Sequence, residues 1–139
     1  MFSFVLVFLV AIVVFIFAIF KKDNSIADIC YSYGFMAAAI SSLFLNENVS
    51  TQKVIVTYLV LIWGIRLSYR IYMKNAGKPE DFRYAAWRAL WMKNGKTYFY
   101  TRSLLQVFIL QAVIAAVIVS PVVLFAGETK YFYIGVAVW

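Results

Sequence analysis

Six charged or phenolic side chains in one polar stretch, Arg66, Arg70, Glu80, Asp81, Arg83 and Tyr84, and two more near the start of an apolar run, Asp28 and Tyr31, are the residues with chemistry to offer. Arg66 and Arg70 lie one helical turn apart. Two guanidiniums on one helix face can grip phosphate oxygens bidentately, as a diphosphate requires. Glu80, Asp81, Arg83 and Tyr84 follow after a connection of about eight residues, short enough to keep the two groups close. Carboxylates that accept from ribose hydroxyls, beside arginines that take phosphates, suit a dinucleotide, and the spacing predicts that both groups face one cavity. The competing structural role is a surface network in which Glu80 and Asp81 pair with Arg66, Arg70 or Arg83 and cap a helix. Asp28 is the one carboxylate inside an apolar run. Ser25-Ile26-Ala27-Asp28 fits the capping-box pattern, so its plain role is to bond backbone donors at a helix start. Its chemical role would be a buried acid, or an orienting group for Tyr31 one turn away.

The remaining composition excludes whole classes of chemistry. Cys30 is the one cysteine and there is no histidine, so an intrachain disulfide, a histidine-containing zinc site and a histidine-based triad are ruled out for these 139 residues, and no metal site is expected. A net charge of +7 would suggest nucleic acid in a water-soluble chain. Here 65% of the residues are hydrophobic and the mean hydropathy is +0.85, so the bilayer is the partner and nucleic acid is not. Nine of the thirteen Lys and Arg residues fall between Arg66 and Arg102, a run that hydrocarbon cannot solvate.

The elements that must position these residues are apolar spans. Phe2 to Phe20 carries no charge and is about 28 Å long as a helix, the thickness of a hydrocarbon core. Its lack of a basic start and of a cleavage pattern marks it as a retained span rather than a signal peptide. Ile26 to Leu45 and Val54 to Met73 make the second and third spans, and Ser103 to Ala126, with Pro121 near its end, makes the fourth. Arg66 then lies about 10 Å inside the third span, where snorkelling to the interface competes with the anion-site role. Gln106 and Gln111 stand about 140° apart on the fourth span, which predicts a bond from each to a neighbouring helix. Pro79 with Glu80 and Asp81 opens a short helix over residues 79 to 93 that Asn94-Gly95 closes. Its aromatic and basic faces predict that it lies in the membrane interface. Tyr131 to Trp139 is about 13 Å of helix, too short to cross. It is read either as the start of a fifth span in a longer protein, or as a half-helix packed against another element. The fold class is therefore an all-α polytopic bundle, one membrane domain over residues 1 to 139 with four spans, an interfacial helix and a partial fifth. Lys21, Lys22 and the basic stretch share one side, which puts the amino terminus outside and the basic loop in the cytoplasm.

Several segments in this order resemble the steroid 5-alpha-reductase-like membrane proteins, in the branch described as a domain of unknown function. They are Ser25-Ile-Ala-Asp28 with Tyr31 to Gly34, Trp63-Gly64-Ile65-Arg66-Leu67, Glu80-Asp81-Phe82-Arg83-Tyr84-Ala85-Ala86-Trp87-Arg88, and Leu105-Gln106-Val107-Phe108 with Gln111. The resemblance runs from Asp23 onward. It departs at Tyr31 or Tyr33, where that branch usually has Trp, and at Phe82, where Pro is common. It implies an NADPH-dependent oxidoreductase that reduces a carbon–carbon double bond of a steroid or isoprenoid-like lipid. Arg66, Glu80, Asp81, Arg83 and Tyr84 would lie by the cofactor, with Arg70 added by its place one turn from Arg66, and Asp28 would approach the substrate, with Tyr31 added by its place one turn from Asp28. The family's later-span signature, resembling R-H-P-N-Y, is absent from these residues. The chain thus resembles the front half of such an enzyme, expected to be inactive alone and to need a C-terminal half in the same or another chain. Two alternatives stay open: a related membrane methyltransferase, and a non-catalytic small membrane protein whose basic loop binds anionic lipid or a partner.

Overall fold

The computed structural model describes residues 2–45 and 49–124. The chain is a helical membrane bundle and a multi-pass integral membrane protein, with four helices long and apolar enough to cross a bilayer. α1 (Phe2–Lys21), α2 (Ile26–Phe44) and α3 (Thr51–Asn75) are three of them. α4 (Phe82–Met92) is the short interfacial helix. α5 (Lys96–Arg102), a π-helical stretch (Ser103–Ile109) and α6 (Leu110–Leu124) run on as the fourth crossing helix. The partial fifth span expected at Tyr131 to Trp139 lies outside the described residues.

Packing in the bundle uses small residues, as it must where lipid tails supply no hydrophobic drive between helices. Gly64 of α3 lets Met36 of α2 come so close that a β-carbon there would sit 2.8 Å from its Sδ. The same crossing is tied by Ser32, whose hydroxyl donates to the Gly64 carbonyl at 2.9 Å, and by Ser68, which donates to the Ile29 carbonyl at 2.7 Å. One core joins Val7, Phe35, Ala38, Ala112, Ala115 and Val119 along the bundle. A second gathers Ala18, Ala27, Trp91, Phe99 and Phe108 at the end where α4 docks.

The turn from α1 to α2 is held more firmly than its polar sequence suggests. Asp23 N–H donates to the Ala18 carbonyl and Lys22 N–H to the Ile19 carbonyl, the paired bonds of a Schellman helix stop. Lys22 has φ 54° at the position where such stops favour glycine. A β-carbon there costs about 1–2 kcal/mol. The capping box expected at Ser25 to Asp28 does not form. The Ser25 side chain makes no capping bond, and the Asp23 carboxylate instead accepts from the Ser25 N–H and hydroxyl. Asp28 is thereby left to other partners.

α4 presents Tyr84 and Trp91 inward and leaves Phe82 and Leu90 exposed, the division of an interfacial helix. Asp81 caps it by accepting from the Arg83 N–H at 3.1 Å.

Candidate functional site: a carboxylate–tyrosine cluster at the rim of a cavity

Two helices far apart in sequence, α4 and α6, converge on Asp28 in the first turn of α2. Its carboxylate accepts from the Tyr84 hydroxyl of α4 at 2.6 Å, from Arg83 of α4 at 3.0 Å and from the Gln111 amide of α6 at 3.2 Å. Tyr84 is only 4% exposed. Burial first, and then the bond to Asp28 and its charge, push the Tyr84 phenol well above its ordinary value, so it keeps its proton through the neutral range. Arg83 bonds Asp81 as well, at 2.9 Å, and those bonds hold the Asp81 carboxyl below the usual carboxylate range.

The cluster forms the polar rim of a cavity of about 420 Å³. Lys74 and Asn75 of α3 complete that rim, and Leu67, Ile71 and Ile114 supply an apolar wall. Tyr31 and Gln111 line this cavity and also a narrow apolar crevice of about 30 Å³ that runs between α1, α2 and α6 past Val7, Gly34 and Ala112. The crevice has room for a water or two. The Tyr31 ring packs edge-on against Phe35, and among the described residues its hydroxyl has no hydrogen-bond partner. A polar rim over an apolar wall, with one free hydroxyl, suits an amphiphile bearing an oxygen function.

Of the six residues expected in one cavity, Asp81 and Arg83 line it, together with Asp28 and Tyr31, and Tyr84 stands behind Asp28. Arg66 and Arg70 do not line it. The α3 residues that do are Leu67, Ile71, Lys74 and Asn75; the exposed Arg66 and Arg70 sit about 100° round the helix from Leu67 and Ile71, with Arg70 one turn before Lys74. Glu80 is also elsewhere. It accepts from the Asn24 N–H at 2.7 Å and pairs bidentately with Arg88, at 2.8 Å for each bond. The tyrosine that Asp28 engages is Tyr84, not Tyr31. Gln111 makes its expected bond to a neighbouring helix, whereas Gln106 is exposed.

Lys74 and Asn24 are the residues that sequence reasoning missed. Lys74 falls in the i, i+4, i+7 series with Leu67 and Ile71, a register readable once the cavity-facing side of α3 is known. Asn24, only 2% exposed, donates its side-chain amide to the Ser103 hydroxyl at 3.0 Å, where the π-helical stretch begins. Its place in the Asp-Asn-Ser turn announced a turn and nothing more.

The family model described as "Protein of unknown function (DUF1295)" matches residues 14–139. No curated protein and no solved structure matches the chain. With all but its first turns covered by that match, the chain belongs to the DUF1295 family.

Proposed function

We propose that this chain is the N-terminal portion of a membrane-embedded, NADPH-dependent reductase that acts on a double bond of a steroid or isoprenoid-like lipid, and that its described residues hold the oxygen-bearing end of that lipid. The observation that carries the reading is the cavity whose polar rim is Asp28, Arg83, Lys74 and Gln111 and whose wall is apolar. The resemblance supplies the reaction class, and it favours a cytoplasmic basic face, where a soluble cofactor would be met.

The described residues do not by themselves fit a dinucleotide. Lys74 and Arg83 at the rim face the carboxylates Asp28 and Asp81, so the lining has no net positive charge, and Arg83 is already engaged by both acids. Phosphates need unneutralised cations. With Arg66 and Arg70 outside the lining, Lys74 is the one rim cation without an ion pair among the described residues. The part this chain can play is therefore substrate positioning. Tyr31 offers a hydroxyl proton to a lipid carbonyl, and Asp28, fixed by three donors, sets the polarity of the pocket beside it.

The test uses the natural protein from its intact reading frame, assayed in membranes with a steroid 4-en-3-one and with an isoprenoid enal. NADPH-dependent loss of the conjugated double bond is expected, with Tyr31→Phe lowering kcat about 10²-fold or more. Unchanged turnover in Tyr31→Phe would remove the residue from the reaction, and reduction of neither compound would count against the reaction class.

A further inference from the structure

A second cavity, of about 300 Å³, opens where the end of α1 meets α4 and α5. Its polar members are Lys22, Lys96, Arg88 and Asn24, and its apolar walls include Ile19 and Phe99. It lies on the other side of α4 from the Asp28 cavity, since Arg83 and Arg88 are about 140° apart on that helix. Arg88 is fixed and neutralised: Glu80 pairs with it, and its guanidinium rests 4.7 Å above the Phe99 ring. Asp23, whose charge also reaches Arg88, turns its carboxylate onto Ser25. Lys22 and Lys96 are left with no ion pair among the described residues. Two unpaired ammonium groups thus face one pocket at the membrane-interface end of the bundle. Below it, the face of the pocket residue Ile19 is continued along α1 by the exposed side chains Ile16 and Ile12 toward the hydrocarbon region.

We propose that this pocket is a binding site for an anionic phospholipid, with the headgroup phosphate between Lys22 and Lys96 and the acyl chains along α1. An ammonium group is a point charge suited to a phosphate, and the apolar track beside the pocket favours a lipid over a free anion. Lys22 supplies a second argument. Its backbone occupies a left-handed position that glycine fills without strain, so helix-stop geometry alone would favour Gly there. The lysine side chain is what the position gains.

That feature makes the test clean. The protein is placed in phosphatidylcholine nanodiscs and titrated with phosphatidylglycerol, with bound lipid counted by native mass spectrometry. Lys22→Gly and Lys96→Ala should each weaken phosphatidylglycerol binding about fivefold, the effect of one interfacial lysine, while Lys22→Gly keeps or raises the Tm in phosphatidylcholine. Lys21→Ala is the control, because Lys21 lies over the Phe17 ring outside the pocket and should change nothing. Equal losses in the Lys21 and Lys22 variants would mean diffuse attraction and overturn the site. Full competition by millimolar glycerol phosphate would make it a free-anion site, and a lower Tm for Lys22→Gly in phosphatidylcholine would make the lysine structural.

Discussion

Arg83 and Arg88 stand five residues apart on α4 and each meets a carboxylate, yet the two pairs do different work. Arg88 and Glu80 are 26% and 12% exposed, bonded in bidentate fashion, with the spare capacity of Glu80 taken by the Asn24 N–H. That pair is closed and clamps α4 to the α1–α2 turn. Arg83 and Asp28 are 53% and 24% exposed, joined by one bond, and they sit on a cavity rim with Tyr84 and Gln111. Similar residue types separate into a clamp and a site according to enclosure. Both carboxylates accept three bonds, so the difference is enclosure: Glu80 is shut in with its partners, whereas Asp28 at a cavity rim can still act on what enters.

The comparison breaks most readily at the clamp. Glu80→Ala should lower the unfolding free energy by about 2–3 kcal/mol, because it strands a half-buried guanidinium and a buried N–H. A Glu80→Ala and Arg88→Ala double-mutant cycle should show strong coupling. A smaller loss than that of Asp28→Asn, expected at about 1 kcal/mol, would reverse the assignment of clamp and site.

Tyr84→Phe sharpens the other side of the comparison. Folding raises the Tyr84 pKa, so its contribution is fully present below the unfolded value of about 10 and is lost as pH rises through the higher folded one. Tyr84→Phe should cost about 1 kcal/mol at pH 7 and flatten the alkaline limb of the stability profile above about pH 10. An alkaline limb identical to that of the parent would place the phenol in water rather than against Asp28. The smallest effects belong to Arg66→Gln and Arg70→Gln. On their exposed face they should stay within about 0.5 kcal/mol and leave cavity labelling unchanged.

What the sequence disclosed was set by local rules. The four crossing helices follow from apolar run lengths, and α4 follows from the Asp81 cap and the Asn94-Gly95 stop, although it starts at Phe82 and leaves Pro79 and Glu80, expected in its first turn, outside. The Asp28 cluster could be read only in part, because its partners lie 55, 56 and 83 residues away and no periodicity announces such a meeting. Ser25 and Asp28 matched a capping pattern, but Asp23, two residues before Ser25, accepts the Ser25 N–H and hydroxyl instead. Arg66 and Arg70 show the limit of a proximity argument. A short loop brings backbones together, but which side chains reach a cavity depends on their phase and level on the helix, and here Leu67, Ile71 and Lys74 line it while Arg66 and Arg70 do not. The π-helical stretch had no sequence signal.

The most direct measurement is photolabelling of the natural protein in membranes by a diazirine-bearing steroid 4-en-3-one, normalised to folded protein, in the parent, Asp28→Asn and Glu80→Gln. The account predicts adducts on the cavity wall at Tyr31, Ile71 or Ile114 in the parent, a marked loss in Asp28→Asn, and retention per folded molecule in Glu80→Gln. Equal labelling in the parent and Asp28→Asn, or a loss confined to Glu80→Gln, would contradict it.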